Sequence, residues 1–200
     1  MLLAFVDGFL LGGSLIVAIG AQNAFVIRQG LVGRFVFWVC LFCAVADAAL
    51  IVAGVSGIGL LVAQWPALVP VMTYAGAAYL AWFGVLAVRR VLSPVTDQAQ
   101  ARDTETLSAA LLQCAAFTLL NPHVYLDTVI LLGGLANARP LDERDLFAFG
   151  AATASFVWFF TIGFGAMMLK PVLDRPSVWR LIDAVIAAIM FSLSVKFLLA

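Results

Sequence analysis

Long apolar segments, separated by short polar stretches, account for most of this chain of 200 residues. The segments cover residues 2–27, 35–62, 69–88, 107–135, 146–169 and 181–200. An apolar helix of about 20 residues is long enough to cross the ~30 Å hydrocarbon core of a bilayer. The pattern therefore predicts an all-α integral membrane protein with about six transmembrane helices.

The first and fourth segments are longer than a straight crossing requires, and polar residues interrupt both. In the fourth segment, Pro122 lacks a backbone N–H and clashes with the preceding turn of a helix. In the first segment, the permissive Gly20 and then Ala21 precede the polar pair Gln22 and Asn23. Because lipid cannot satisfy the backbone groups that such breaks free, we expect two broken helices whose interruptions face protein or a cavity.

A polar stretch over residues 89–106 divides the chain nearly in half, and we interpret it as a linker. Residues 1–88 hold three predicted spans, and residues 107–200 hold the other three. An odd number of spans per repeat inverts the second repeat relative to the first, and paired interrupted helices are typical of transporter binding sites. We therefore predict two inverted three-helix repeats, each with a broken first helix.

Composition supports a membrane location, since 64% of the residues are hydrophobic and only 11% are charged. The 11 basic and 11 acidic residues give no net charge, so we expect no basic surface for nucleic acid. No Lys or Arg precedes the first apolar segment, so we expect a retained span and not a cleaved signal peptide. No phosphate-binding loop or nucleophile triad is visible, and we expect neither an enzyme nor a bound cofactor.

Two aspartates inside the predicted spans are the strongest candidates for chemistry. Asp47 lies near the middle of the second segment, and Asp127 follows the break at Pro122, close to His123 and Tyr125. A charged side chain is costly inside a bilayer and marks a functional site by default. A cationic ligand, a proton or both would suit two such carboxylates. The alternative is an aspartate that is protonated or paired and locks two helices together.

Other charged residues lie nearer the segment ends. Arg28 and Arg34 form the predicted first loop, while Asp183 and Lys196 lie close to the two ends of the sixth segment. We expect the latter two at the membrane interface, where a long side chain can extend toward water.

Neutral polar side chains accompany both predicted breaks, namely Gln22, Asn23 and Asn121. One interpretation is hydrogen bonding between helices, and the other is direct contact with a polar substrate. A half-helix that begins after Gly20 or after Pro122 would direct free N–H groups and its positive dipole end toward an anion. Together with two carboxylates, such donors would suit an amino acid with a basic side chain.

A C-x-x-C motif, Cys40 and Cys43, lies one helical turn before Asp47, and Cys114 lies in the fourth segment. These residues could bind a soft metal or relay thiols. We favour simple packing, because cysteine behaves as a small apolar residue in protein interiors. A heavy-metal cation exporter and a membrane thiol oxidoreductase remain the alternatives to the function given below.

Four motifs are spread over the first four apolar segments: residues 16–26, Asp47-Ala48, residues 76–80 and residues 120–128. Together they resemble the lysine/arginine exporter family (LysE/ArgO). The resemblance implies a bacterial inner-membrane exporter of L-lysine, L-arginine or both. The family's paired aspartates would fall on Asp47 and Asp127, and its polar break motifs on Gln22-Asn23 and Asn121-Pro122. Relatives that export neutral amino acids carry a proline where this chain has Ala21, so the chain resembles the basic-amino-acid branch.

The sequence thus predicts a secondary transporter that exports basic L-amino acids by alternating access, driven by protons or the membrane potential. Its partners would be a small-molecule substrate, the lipid bilayer and, through small-residue faces, further copies of the chain. The expected substrate-binding residues are Gln22, Asn23, Asp47, Asn121, Tyr125 and Asp127. The expected helix breaks are at Gly20, Ala21 and Pro122.

Overall fold

The computed structural model describes residues 2–17, 20–57, 68–93, 106–173 and 176–199, and the regular structure in these ranges is entirely helical. The helices are α1 (Leu2–Ile16), α2 (Ala21–Val32), α3 (Val36–Val55), α4 (Leu68–Leu92), α5 (Leu107–Leu119), α6, α7 (Leu141–Leu173) and α8 (Pro176–Leu199). Helix α6 is a continuous run of three parts, Pro122–Val124, Tyr125–Leu132 and Gly133–Asn137. Most of the predicted linker lies outside the described residues.

Four of the described helices are long and apolar enough to cross a membrane, and the number is five if α1 and α2 count as one bent span. The four are α3, most of α4, α7 and α8. The predicted all-α membrane class is therefore confirmed. The six-span inverted arrangement is finer than this finding and stays a prediction.

The first interruption separates α1 from α2, whose axes meet at 83°. Gly20 precedes α2 in an extended conformation (φ −113°, ψ 176°), and Ala21 is the first residue of α2. Helix α2 then continues to Val32, beyond the end of the first apolar segment.

The second interruption separates α5 from α6 at Leu120 and Asn121. Pro122 opens α6, a position that suits proline because the N–H it lacks would have no acceptor within the helix. The middle part of α6, Tyr125–Leu132, is π-helical. This rare form often occurs at functional sites, and here it contains Asp127.

Helices α3 and α7 pack against each other in an antiparallel direction. The thiol of Cys40 donates to the carbonyl oxygen of Phe159 at 3.2 Å. Further along α3, Asp47 lies beside Ser155, which precedes Phe159 on α7. The two helices therefore run in opposite directions.

Helices α4 and α8 are also antiparallel. Ser194 Oγ donates to the carbonyl oxygen of Ala77 at 2.8 Å, and Arg90 Nε lies 2.8 Å from Asp183 Oδ1. Thus α3 and α4, the second and third helices predicted for the first half, pack antiparallel to α7 and α8, their counterparts in the second half.

An aromatic cluster forms the centre of the hydrophobic core. The ring centroid of Phe117 on α5 lies 5.4 Å from that of Phe25 on α2. It lies 4.9 Å from the centroid of Phe83 and 5.1 Å from that of Tyr79, both on α4. Such edge and tilted contacts are the favoured arrangements of aromatic rings. The cluster connects the two interrupted helices directly, through Phe25 and Phe117, and joins both to α4.

The expectation that Arg28 lies in a loop was wrong, whereas Asp183 is buried within the protein and its expected depth at the membrane interface stays a prediction. Arg28 lies within α2 and is 8% exposed, because α2 extends past it, and Asp183 is 3% exposed. The carboxylate of Asp183 accepts a hydrogen bond from Arg90 Nε at 2.8 Å and lies 3.5 Å from Arg28 Nε. A buried carboxylate requires such cationic partners, and these were too far away in sequence to be anticipated.

Glycines permit close approach of helices at several places, two of which join α6 to α3 and α2 to α7. Gly133 of α6 packs directly on the backbone of Gly54 in α3, and Gly30 of α2 packs on the carbonyl of Gly163 in α7. A Cβ added to Gly133 would lie 2.6 Å from the carbonyl carbon of Gly54, whereas a Cβ on the neighbouring Gly134 would meet no atom within 4 Å. Small residues at helix contacts are a common packing device in membrane proteins.

We predict that Gly133→Ala lowers the free energy of unfolding by about 1–3 kcal/mol, because the α3 and α6 backbones must separate. Gly134→Ala is the matched control, and its better helix propensity should leave stability unchanged or raise it by up to about 1 kcal/mol. Thermal unfolding in detergent measures both. Equal stability of the two variants would contradict the close contact between α3 and α6.

Candidate functional site

A cavity of about 230 Å³ lies where the two interrupted helices meet. We call it the central cavity. Most of the predicted site residues line it, namely Gly20, Ala21, Gln22, Asn23, Asp47, Asn121 and Asp127. Tyr125 is not among its lining residues, and direct contact of Tyr125 with a substrate stays a prediction.

Asp47 reaches the cavity from the middle of α3 and is 6% exposed. Its neighbour is the hydroxyl group of Ser155 on α7, which is buried and forms no other hydrogen bond within the described part of the chain. No Arg or Lys side chain forms an ion pair with Asp47 there. A carboxylate in this position needs a cation or a proton nearby.

Asp127 reaches the same cavity from the π-helical part of α6 and is partly exposed. Among the described residues, no ion pair to its carboxylate is present either. The cavity therefore brings together two acidic groups that are 80 positions apart in sequence and lie on different halves of the chain.

Asn23 bridges the first interruption. Its Nδ2 donates to the carbonyl oxygen of Ile16, the last residue of α1, at 2.7 Å. Its Oδ1 accepts a hydrogen bond from Trp158 Nε1 of α7 at 3.2 Å. Asn23 thus satisfies a carbonyl that the break has freed and fixes α2 to α7.

The second interruption is bridged in a similar way. The hydroxyl group of Tyr125 donates to the carbonyl oxygen of Leu119, the last residue of α5, at 3.0 Å. Asn121 Oδ1 accepts a hydrogen bond from the backbone N–H of His123 at 3.1 Å and so caps the start of α6. At both breaks, a side chain from the following helix donates to the final carbonyl of the preceding one.

The start of α2 differs from the start of α6 because no side chain of the described residues caps it. Its first residues line the cavity, and the buried Nε2 of Gln22 has no hydrogen-bond partner among the described residues. Uncapped N–H groups at a helix start favour an anion such as a carboxylate. The cavity therefore combines acceptors for cations with donors for an anion.

Residues 13–200 match the family model described as LysE type translocator. The chain belongs to the LysE-type translocator family. It is a multi-pass membrane protein of the bacterial inner membrane. The family resemblance inferred from the motifs is thus confirmed.

Three relatives show how far the similarity extends. A Mycobacterium tuberculosis protein, named provisionally as an amino-acid transporter, is 42% identical over 90% of this chain and 89% of its own. The arginine exporter protein ArgO of Pectobacterium carotovorum is 37% identical over 98% and 97% of the two chains. The lysine exporter LysE of Corynebacterium diphtheriae is 36% identical over 97% and 98%. No solved structure matches the chain.

The cysteines of the translocator do not form a metal site within the described residues, where no group of three or more His, Cys, Asp or Glu side chains could hold an ion. Cys40, Cys43 and Cys114 are fully buried free thiols in the main hydrophobic cluster. The sulfur atoms of Cys43 and Cys114 are 3.8 Å apart, in contact across α3 and α5. This arrangement agrees with the packing interpretation.

Tyr79 and Lys196 are among the cavity residues that sequence reasoning missed. Lys196 was expected at the membrane interface. Leu193, Lys196 and Phe197 lie on one face of α8 at positions i, i+3 and i+4, and all three line the cavity. The spacing was visible in the sequence, but it did not reveal which face of α8 turns toward the cavity.

We predict that Tyr125→Phe lowers the free energy of unfolding of the translocator by about 1 kcal/mol or more, because the Leu119 carbonyl loses its donor. Tyr74→Phe is the matched control, since Tyr74 is 64% exposed on α4. Thermal unfolding in detergent compares the two. Stability equal to the wild type in Tyr125→Phe would contradict the proposed bridge across the second break.

Proposed function

We propose that the translocator exports basic L-amino acids, arginine, lysine or both, across the inner membrane by alternating access around the central cavity. The observation that carries this proposal is that both interruptions and both intramembrane aspartates line one cavity. Interrupted helices that meet at a shared site are a common design of secondary transporters.

Charge supports the substrate class. A basic amino acid carries two cationic groups and one carboxylate. Asp47 and Asp127 supply two acceptors that have no arginine partner among the described residues. The uncapped start of α2 and Gln22 Nε2 supply donors. A neutral amino acid would leave one of these two aspartates without a cation, at a considerable cost inside a membrane.

Size supports the same class. Pockets for drug-sized ligands usually measure roughly 300–1,000 Å³. At about 230 Å³, the central cavity is somewhat smaller, as a ligand of amino-acid size requires. The names of the relatives, arginine exporter protein ArgO and lysine exporter LysE, agree with this choice of substrate.

The helix directions support alternating access by two inverted repeats, residues 1–88 and residues 107–200. Two inverted repeats would place equivalent helices in opposite directions, and α3 packs antiparallel to α7, as α4 does to α8. Opening would then consist of one repeat rocking against the other, so that the central cavity faces each side of the membrane in turn.

Energetics favour exchange with protons. Moving a cation out of a cell with an inside-negative potential costs about 2.3 kcal/mol per 100 mV for each charge. An aspartate that releases the substrate and takes up a proton returns a positive charge inward. We therefore propose antiport, with Asp47 or Asp127 carrying the proton.

We predict that Asp47→Asn and Asp127→Asn reduce export to the level of an empty vector, because the substrate cation loses its charged acceptor. Efflux of labelled arginine and lysine from cells preloaded with dipeptides provides the measurement, with the amount of protein in the membrane determined in parallel. Asp145→Asn is the control, since the side chain of Asp145 is 75% exposed and lies outside the cavity.

Export at the wild-type rate by both cavity variants would refute the assignment of the aspartates. Loss of export in Asp145→Asn as well would point to a general effect of removing charge. Efflux of the wild type equal to the empty vector would refute the substrate class itself.

The thiol and metal alternatives predict that the cysteines are essential. We predict instead that the variant with Cys40, Cys43 and Cys114 all replaced by Ala keeps its export activity, at the expense of some stability, because these thiols only fill space in the core. Efflux normalised to the amount of membrane-inserted protein is the measurement. Full loss of activity with normal insertion would favour a thiol mechanism.

A further inference from the structure

Lys196 is the only lysine or arginine that lines the central cavity within the described part of the chain. It lies on α8 between two other lining residues, Leu193 and Phe197, so the cavity-facing side of the helix includes it. Phe197 packs against the ring of His123, with 5.5 Å between the centroids. This contact fixes the end of α8 that carries Lys196 against the start of α6.

The charges of the lining residues give a simple balance. With both aspartates ionised and His123 counted as neutral, Asp47, Asp127 and Lys196 together carry one negative charge. A basic amino acid carries one positive charge, because its carboxylate offsets one of its two cationic groups. Its binding would therefore neutralise the cavity, as a low-dielectric environment favours.

The decarboxylated counterpart of the amino acid, agmatine for arginine or cadaverine for lysine, carries two positive charges. We refer to both compounds as diamines. Such a diamine would match two aspartates alone, but in the presence of Lys196 it would leave an excess positive charge. It would also leave the Lys196 ammonium without an anionic partner. The lysine thus favours ligands with a carboxylate and disfavours their decarboxylated counterparts, which is specificity through a repulsive element.

We propose that Lys196 is a specificity-determining residue that binds the α-carboxylate of the substrate and excludes the corresponding diamine. This inference rests on the proposed export of basic amino acids and adds the charged contact for the carboxylate. The N–H donors at the start of α2 and the Lys196 ammonium are compatible, since a carboxylate accepts several hydrogen bonds.

The test compares ligand binding by the purified, full-length protein in detergent, so that it does not depend on transport. Concentration-dependent shifts of Tm with arginine, agmatine, lysine and cadaverine give an apparent affinity for each ligand. The variants are Lys196→Met, Lys196→Arg and the control Lys170→Met. Lys170 is a matched control because it donates to the carbonyl of Val32, away from the cavity.

For Lys196→Met, we expect arginine and lysine to bind roughly tenfold to a hundredfold more weakly, as the loss of one charge-assisted hydrogen bond implies. Agmatine and cadaverine should bind as tightly as before or more tightly. Lys196→Arg should keep the wild-type preference for the amino acids, and Lys170→Met should keep it as well.

Other results would overturn the proposal. Equal weakening of amino acids and diamines would show a purely structural role for Lys196, and unchanged binding of all four ligands would place it outside the site. Either result would leave the proposed export function intact. A wild-type protein that responds to neither arginine nor lysine would refute the proposed function, and the carboxylate contact with it.

Discussion

The architecture depends on one constraint, that a polar backbone group freed inside a membrane must find a partner in the protein. Two helices of this translocator are interrupted, and at each interruption the final carbonyl of the first part is satisfied by a side chain of the second. Asn23 does this for Ile16, and Tyr125 does it for Leu119. The interruptions can then lie side by side, and the cavity between them gains polar groups that a continuous apolar helix would not offer.

The close approach of the helices follows from the same requirement. An interrupted helix can be enclosed by protein only if its neighbours come near, and glycines allow this at Gly30 against Gly163 and at Gly133 against Gly54. These contacts connect α2 to α7 and α6 to α3, so each helix that follows an interruption packs closely on a long helix from the other half of the chain. The cavity is therefore a consequence of the packing, and its acidic residues are brought together by it.

Much of this could be predicted from the sequence, because overlong apolar segments, Pro122 and an isolated Asp47 are local signals. The class of fold and the family were recognised, and most predicted site residues line one cavity. What could not be predicted depends on which helix face meets which neighbour. The burial of Asp183 could not be anticipated, because its partners Arg28 and Arg90 are remote in the chain. The place of Lys196 on the cavity could not be anticipated either, because hydropathy does not reveal the direction of a side chain.

The acidic residues inside the helical bundle differ in what neutralises them, and this difference distinguishes a structural role from a functional one. A buried carboxylate must be neutralised, and the protein itself does this for Asp183 with two arginines from α2 and α4. That carboxylate therefore joins three helices and has no charge left to offer a ligand. Asp47 and Asp127 have no arginine partner within the described residues and lie on the cavity. With Lys196 counted, the cavity still carries one negative charge when both aspartates are ionised, and neutralising it is left to what enters the cavity. The energetic requirement that makes a membrane carboxylate costly would thus become the attraction for the cationic substrate that we propose.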